Sequence, residues 1–240
     1  MTRRSQTPRE STRPFDPREL PAYTIREAAH YLQLPPATLK SWVLGRKYPT
    51  KSGLKFFAPV IELPDEDLPQ LSFFNLAEAH VLSAFRRTHH IELRQIRSAL
   101  RYVRGEFGGK HPLLDQRFET DGVTLFVQKL EVLVDASARG QIVMETIRPY
   151  FKRLEFVNES VVRFYPFTRS SIHASPKSVF IDPRFSFGRP SLTRSHVATA
   201  VIADRYKAGE SIDELARDYD CERLDIEEGL RCELERQIAA

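Results

Sequence analysis

The chain has 240 residues, of which 41% are hydrophobic and 28% are charged, and both shares are ordinary for a globular protein. No stretch approaches the run of about 20 apolar residues that a membrane-spanning helix needs. The two cysteines, Cys221 and Cys232, are too far apart for a zinc knuckle. So little cysteine favours a reducing compartment, and we expect a cytoplasmic protein.

The two ends of the chain carry opposite charge patterns, although the net charge is only +4. Residues 21–60 contain six Lys and Arg residues and a single acid, Glu27. From Gly209 to the end of the chain, eleven Asp and Glu residues face four Arg residues. The first segment therefore suits the phosphates of a polyanion, and the second suits a basic protein surface.

Residues 1–20 predict a disordered arm, because they are rich in Arg, Pro, Ser and Thr and lack a hydrophobic period. Two short helices follow. Thr24 and Glu27 have the spacing of a capping box at the start of the first helix, and Pro35 ends it. Pro36 suits the first turn of a second helix that ends at Gly45. Such a pair is typical of a helix-turn-helix.

A basic loop, residues 46–55, follows the second helix, and the β-branched and aromatic residues of 56–63 predict a strand. A basic hairpin directly after a recognition helix indicates a wing. We therefore predict a winged helix-turn-helix domain over residues 21–70, with an acidic stretch at 64–69. In such a domain the recognition helix meets base edges, and nearby cations hold phosphates. The candidate DNA-binding residues are Thr38, Lys40, Ser41, Arg46, Lys47, Lys51 and Lys55.

Residues 71–167 are predicted to form a mixed α+β middle domain that also dimerises. Apolar residues recur at helical spacing over 76–85 and 91–103, and residues 146–156 look helical despite Pro149. Strand-like segments are residues 124–128, 130–134 and 161–165. The predicted helix near residue 100 has a basic face formed by Arg94, Arg97, Arg101 and Arg104. This face is either an ordinary solvated surface or a supplementary surface that contacts DNA phosphates.

A Ser-rich linker at residues 168–178 leads to a predicted C-terminal domain at residues 179–240. It begins with a strand at Val179–Ile181, and Ser211 with Glu214 has the spacing of a second capping box. Three helices, at about 196–207, 211–219 and 223–238, predict a bundle similar to a helix-turn-helix. The expected fold class of the chain is mainly α with short β segments (α+β).

Two segments resemble known families. Tyr23 to Ala29, followed by Thr38 to Trp42, resembles the helix-turn-helix of MerR-like regulators. Ile181-Asp182-Pro183, Gly188-Arg189-Pro190 and the stretch from Gly209 to Leu230 look like a small bacterial antitoxin domain of otherwise unknown function. The combination resembles a VapB-like antitoxin of a type II toxin-antitoxin system. One departure is Arg194-Ser195-His196, which stands where that family has a Gly-Thr-Arg turn, and Arg194 would not tolerate a positive φ as glycine does.

The resemblance implies a repressor that neutralises a PIN-type ribonuclease toxin and binds operator DNA of its own operon. A homodimer is expected, because paired half-sites raise the specificity of a single helix-turn-helix. Since the acidic C-terminal helices would repel phosphates, we expect them to bind a basic protein surface, with DNA contact as the open alternative. The expected partner-binding residues are Asp182, Arg184, Phe185, Phe187, Arg189, Asp213, Glu214, Tyr219 and Glu227.

The motifs of common enzymes are missing from the sequence, which has no HExxH, no phosphate-cradling glycine loop and no Gly-x-Ser-x-Gly. His89 and His90, with His80 nearby, invite a metal hypothesis, but no other ligands stand at metal-binding spacing. We therefore predict no enzymatic activity, no cofactor and no metal. A stand-alone MerR-like regulator that responds to a small ligand is the alternative to an antitoxin, and a nuclease that uses Asp182 is a third hypothesis.

Overall fold

A computed structural model describes residues 16–50, 53–89, 93–114 and 147–234. The described chain is mainly helical, with four two-stranded antiparallel sheets, in agreement with the expected mixture of helices and short strands. Within these ranges, no helix is long and apolar enough to cross a membrane. The disordered arm predicted at residues 1–20 lies outside the described residues as far as residue 15, as do the strands predicted at 124–128 and 130–134. For residues 16–20 the prediction was wrong, because Pro17–Glu19 form a 3-10 helix and Arg18 donates to the Ser160 hydroxyl and the Val161 carbonyl at 2.8 and 3.1 Å.

The two N-terminal helices are α1, Ile25–Tyr31, and α2, Pro36–Val43. The capping box is confirmed, because the Thr24 hydroxyl accepts from the Glu27 amide at 3.2 Å and the Glu27 carboxylate accepts from the Thr24 amide at 2.9 Å. Ala28 and Ala29 of α1 and Trp42 of α2 are fully buried, and the two helices contact each other. The predicted helix-turn-helix geometry is thus present.

A β-hairpin follows α2, formed by β2, Arg46–Thr50, and β3, Gly53–Phe57. The sequence prediction of a strand at 56–63 was wrong for most of its length. After Phe57 the chain leaves the hairpin, and the amides of Val60 and Ile61 donate to the Trp42 carbonyl at 2.7 and 3.1 Å. These bonds satisfy a carbonyl at the C-terminal end of α2, so the apolar residues of 58–61 cover the helix end instead of pairing with a strand.

Two longer helices, α3 at Phe73–His89 and α4 at Leu93–Phe107, form the middle of the molecule. Both were predicted from their apolar spacing and are confirmed. A short sheet joins α3 to the N-terminal helices, because β1, Tyr23–Thr24, pairs with β4, Gln70–Leu71. The helix-turn-helix is therefore tied to the start of α3 by backbone hydrogen bonds.

The helix predicted at 146–156 is shorter than expected. Residues 147–151 are helical, but the chain then forms a hairpin of β5, Leu154–Val157, and β6, Ser160–Phe164. Asn158 and Glu159 both have positive φ, at 48° and 62°, as a type I′ turn requires. The chain forms this hairpin instead of continuing the helix, because the hairpin brings apolar side chains of both strands into the core.

The segment 168–178, predicted as a linker, is packed against the core around a buried arginine. Arg153 is 5% exposed, and its guanidinium donates to the carbonyls of Tyr165 and Pro166 at 2.8 Å and to those of Ser175 and Pro176 at 3.1 and 2.9 Å. A buried charge is tolerated when its donors are paired in this way. Arg153 therefore joins the chain directly after the hairpin to Ser175 and Pro176 near the end of this segment.

The C-terminal part contains a sheet of β7, Val179–Phe180, and β8, Ser191–Leu192, followed by α5, Thr199–Lys207, α6, Ile212–Asp218, and α7, Arg223–Leu234. The strand and three helices predicted from the sequence are confirmed, with α5 starting three residues later than expected. The second capping box is also confirmed by reciprocal bonds between Ser211 and Glu214, at 2.8 and 3.2 Å.

The first helix of the helix-turn-helix is attached directly to the C-terminal part. The Tyr23 hydroxyl donates to the Gly188 carbonyl at 2.8 Å, and Arg189 pairs with Glu27 at 2.6 Å. His30 contacts the Cys232 carbonyl at 2.6 Å. One cluster of buried apolar side chains extends from Tyr23 through α3 to Cys232, so the helix-turn-helix packs on the same core as the C-terminal helices.

We expect Gly188→Ala to destabilise the protein more than Gly209→Ala. Both glycines have positive φ, at 75° and 104°, and a left-handed L-residue costs about 1–2 kcal/mol. A Cβ on Gly188 would also lie 2.5 Å from the Tyr23 hydroxyl, whereas one on Gly209 would meet nothing within 4 Å. Overpacking of this kind adds about 1–3 kcal/mol. Urea denaturation of the two variants measures the difference, and equal destabilisation would refute a role for the Tyr23 contact.

Candidate nucleic-acid interface

The surface formed by α2 and the β2–β3 hairpin is basic and free of acids. No Asp or Glu occurs between Glu27 and Glu62 in the sequence, so every ionised group of this stretch is a cation. On the described residues, the side chains of Lys40, Arg46, Lys47 and Lys55 are exposed. Such a patch provides an electrostatic footprint for a polyanion.

The predicted recognition-helix residues lie on the outer side of α2, away from the buried Leu39 and Trp42. Lys40 is exposed, and Thr38 and Ser41 are half-buried. The Ser41 hydroxyl donates to the Thr38 carbonyl at 2.7 Å. Lys40 is therefore free to reach a ligand, while Ser41 must keep or exchange a local hydrogen bond to do so.

The predicted wing residues are placed on the hairpin that follows. Arg46 is paired with Phe57, Lys47 with Phe56, and Tyr48 with Lys55. Lys51 lies outside the described residues, so its place in the candidate site stays a prediction. The three described cations are distributed over both faces and both strands of the hairpin, which spreads positive charge along its length.

Three contacts hold the hairpin relative to α2. Gly45, with a φ of 71°, lies so close to β3 that a Cβ there would be 2.3 Å from the Phe57 carbonyl oxygen. Val60 and Ile61 donate to the end of α2. The Arg97 guanidinium of α4 stacks over the Phe57 ring at 4.0 Å from its centroid and donates to the Ala58 carbonyl. These contacts therefore fix the hairpin relative to α2 and α4.

Some residues of the basic face predicted on α4 make contacts within the protein, and others are exposed. Arg97 contacts the hairpin, and Arg104 pairs with Glu62 at 2.6 Å. Arg101 is exposed, and burial together with the charge of Arg101 lowers the pKa of Arg97. The stacking of Arg97 on Phe57 was not predicted from the sequence, since it joins residues that are 40 positions apart in the chain.

The predicted partner-binding residues are divided in a similar way. Asp182 is fully buried, and its carboxylate accepts from Arg184 at 2.7 Å. Burial by itself would raise the pKa of Asp182, but the hydrogen bonds from the Arg184 side chain and amide outweigh it and hold that pKa below its ordinary value. Asp182 thus supports the 182–189 turn from within, and Arg184 remains exposed on the outside.

Phe187 stands at the apex of this turn, with 96% of its surface exposed. Ser186, Phe187 and Gly188 have consecutive positive φ values of 45°, 53° and 75°. For a bulky residue such a conformation costs free energy and persists only where the surroundings impose it. Here the Tyr23–Gly188 hydrogen bond and the Arg189–Glu27 ion pair impose it. The turn therefore presents an aromatic ring to solvent from a rigid base.

Phe185, unlike Phe187, packs against neighbouring rings of the protein. Its ring stacks on His196 at 5.2 Å between centroids and meets Phe180 edge-on at 5.6 Å. His196, not Arg194, carries the positive φ, at 59°. Arg194, which was expected not to tolerate a positive φ, does not have one, and the left-handed position of this turn lies two residues later.

The acids of the C-terminal helices that were predicted to bind a partner have intramolecular partners. Asp213 pairs with Arg223 at 2.6 Å, and Glu227 contacts Arg223 at 3.1 Å. Glu214 is used in the α6 capping box, and the Tyr219 ring lies under the Arg205 guanidinium. Exposed ion pairs contribute only about 0–1 kcal/mol each, so an external cation can replace an internal one at little cost.

In the described part of the chain, no group of three His, Cys, Asp or Glu residues could hold a metal ion. His90, one of the histidines considered for metal binding, lies outside the described residues. His80 is buried, contacts the Tyr150 carbonyl at 3.1 Å and lies among the rings of Phe164 and Phe167. Glu228 is also buried and pairs with Arg169 and Arg231 at 2.5 Å.

Comparison with known proteins is consistent with this geometry. Residues 21–100 match a family described as "Putative DNA-binding HTH domain", and residues 179–231 match one described as "Protein of unknown function (DUF433)". The first match covers α1, α2, the hairpin and the start of α4. The second covers the β7–β8 sheet, the turn that carries Phe187 and nearly all of α5 to α7.

Similarity to whole proteins extends over most of the chain. This chain is 28% identical over 218 residues to "Putative antitoxin VapB45" of Mycobacterium tuberculosis, and the match covers 84% of this chain and 89% of that protein. It is 24% identical over 232 residues to "Uncharacterized protein Rv2308" of the same organism, covering 91% and 94%. The crystal structure of Rv2018 from Mycobacterium tuberculosis superposes with a TM-score of 0.65 at 25% identity, covering 88% of this chain and 98% of that one.

Proposed function

We propose that this protein is the antitoxin of a type II toxin-antitoxin system, which binds operator DNA through a winged helix-turn-helix and neutralises a PIN-type ribonuclease. The observation that carries the proposal is the acid-free basic surface of α2 and the hairpin, in a chain similar over most of its length to a protein named as an antitoxin. The proposal includes repression of its own operon and no enzymatic activity.

DNA binding is supported by the charge and rigidity of the interface. In this assignment α2 enters the major groove with Thr38 and Ser41 approaching the bases, and Lys40 contacts the phosphate backbone or a base edge. Arg46, Lys47, Lys51 and Lys55 meet phosphates from the wing. Because Gly45 and Trp42 hold the wing to the helix, both elements reach the duplex in a fixed relation. A second copy of the chain would supply the second half-site of a palindromic operator.

Toxin binding is supported by the Phe187 turn. An exposed aromatic ring on a rigid base loses little conformational entropy on binding, and aromatic and Arg residues dominate the energetics of protein interfaces. Arg184 and Arg189 lie on both sides of Phe187 in the turn. We therefore propose Phe187 as the anchor in an apolar pocket of the ribonuclease, with Asp213 and Glu227 of the C-terminal helices exchanging their internal Arg partners for cations of the toxin.

The DNA-binding half predicts that Lys40→Ala weakens binding to the DNA immediately upstream of the gene, whereas Lys152→Ala does not. Lys152 is also exposed but lies outside the acid-free surface. Removal of one phosphate-binding cation makes the slope of log K against log salt concentration shallower by about 0.9. A salt series measured by fluorescence anisotropy compares the two variants with the wild type.

Equal affinity and equal slope for the two lysine variants would contradict the assignment of α2 as the recognition helix. Circular dichroism of both variants is the control for folding. If the wild type itself fails to discriminate the upstream DNA from an unrelated duplex, the DNA-binding half of the proposal is refuted.

The toxin-binding half predicts that Phe187→Gly weakens binding of the PIN-type ribonuclease encoded beside the gene without lowering the stability of the antitoxin. Removal of an interface anchor costs at least about 2 kcal/mol of binding free energy. Glycine adopts the positive φ of this position without steric strain, so the free energy of unfolding is expected to stay level or rise. Isothermal titration calorimetry and urea denaturation measure the two quantities.

Leu68→Ala is the control for this experiment, because it removes an exposed apolar side chain outside the C-terminal part. Leu68 is 45% exposed and lies in the loop before β4, apart in the sequence from the turn and from the C-terminal helices. If the ribonuclease binds Phe187→Gly and Leu68→Ala equally well, Phe187 is not the anchor. A metabolite that changes DNA affinity in the absence of any toxin would favour the stand-alone regulator.

A further inference from the structure

One face of the β2–β3 hairpin is apolar and open to solvent. Directly paired residues lie on the same face of a hairpin, so the register places Lys47 with Phe56 and Pro49 with Leu54 on one side. Leu54 is 75% exposed and Phe56 is 59% exposed. The other side is the one that packs on α4 through Phe57. Two large apolar side chains next to each other in solvent indicate a binding surface.

The charge of the hairpin decides which kind of partner fits this face. In a symmetric dimer the same patch meets itself, so Lys47 of the open face would be brought against its own copy, with Arg46 and Lys55 on the opposite face of the same two strands adding to the repulsion. No acid of the hairpin could compensate them, because none occurs between Glu27 and Glu62. A second copy of the chain is therefore disfavoured by like-charge repulsion, and a polyanion with an apolar surface is favoured.

The grooves of duplex DNA offer both properties, with phosphates along the edges and stacked bases between them. We propose that the open face of the hairpin enters the minor groove beside α2, where Leu54 and Phe56 act as an apolar wedge that partly unstacks a base step and bends the duplex. This inference rests on the DNA-binding function proposed for the same surface. Leu and Phe side chains inserted between base steps kink DNA by about 20–90°.

The dimensions of the hairpin agree with this placement. A five-residue strand is about 17 Å long at about 3.3 Å per residue. Half of the helical turn of B-DNA, which separates a major groove from the neighbouring minor groove, is also about 17 Å. With α2 in the major groove, the hairpin can therefore cross one phosphate backbone. Lys47, which shares the open face with Phe56, would then meet a phosphate at the edge of the minor groove.

The contacts at the base of the hairpin make the wedge stiff enough to deform DNA. The Gly45 backbone is in van der Waals range of the Phe56 ring, since a Cβ there would be 2.8 Å from its Cζ atom. Arg97 supports Phe57 from the opposite side. A side chain that must push bases apart needs such support, because a flexible hairpin would move before the base stack does.

The test measures the bend of a 30-base-pair duplex (a length of about three helical turns) taken from immediately upstream of the gene. Donor and acceptor dyes at its two ends report the end-to-end distance by fluorescence energy transfer. The full-length wild type is compared with Leu54→Ser/Phe56→Ser and with Leu54→Ser alone, which leaves the Phe56–Gly45 contact intact. Leu224→Ser is the matched control, because it removes an exposed leucine from another surface.

At saturating protein we expect the wild type and Leu224→Ser to bend the duplex by about 20–90°. The double variant is expected to bind without bending the duplex, and Leu54→Ser is expected to bind with a smaller bend. Because the end-to-end distance is measured at saturation, a change in bend angle is not confused with a change in DNA affinity. A reduced bend at full occupancy cannot arise from a variant that fails to fold, since such a protein would not bind.

If the double variant bends the duplex fully, the proposal that Leu54 and Phe56 act as a wedge is refuted. The proposal is also refuted if the duplex stays straight when it is saturated with the wild type. A variant that changes from dimer to monomer in light scattering, while the bend persists, would assign the face to a second copy instead. If the wild type does not bind this duplex at all, the proposed DNA-binding function fails first, and that outcome is distinct from binding without bending.

Discussion

The arrangement of the functional surfaces depends on the close approach of Tyr23 to the backbone of Gly188. The Tyr23 side chain is buried at the start of the helix-turn-helix, and its hydroxyl holds the carbonyl of a turn 165 residues away in the chain. The absence of a side chain at Gly188 permits this contact. It joins β1, directly before α1, to the C-terminal part and also maintains the left-handed backbone that exposes Phe187. Together with the Arg189–Glu27 ion pair and the His30–Cys232 contact, this buried hydrogen bond links the element that we assign to DNA with the element that we assign to the toxin.

The two charge patterns of the sequence have different structural meanings. The cations of α2 and the hairpin lie in a stretch without acids and are exposed, so they favour an external anion. The C-terminal acids mostly pair within the molecule. Glu228 is buried against Arg169 and Arg231, and Asp213 is paired with Arg223 at the surface. A patch of one sign without compensating charges is strong evidence for a charged partner, whereas a patch that is neutralised internally is weaker evidence.

The two proposed contacts with macromolecules share one design, in which large apolar side chains are exposed on a backbone that is held from behind. Phe187 is held by Tyr23 and Arg189, and Phe56 by Gly45. In both places a local feature, either a positive φ or exposed apolar area, raises the free energy of the folded protein. Such features are expected where a partner covers the residue in the bound state. They are stronger indications of binding at these two positions than the surrounding charges are.

The sequence by itself determined the local structure and the class of the N-terminal domain. Capping boxes, proline positions and apolar spacing are short-range signals, so both helix pairs and the basic surface around Lys40 could be predicted from them. Tertiary structure decided what depends on contacts between distant residues. The strand predicted at 56–63 became a strand that ends at Phe57, because the amides of Val60 and Ile61 bond to the end of α2. Asp182, expected at a surface, became a buried support, since only the folded chain shows which side of a turn faces the core.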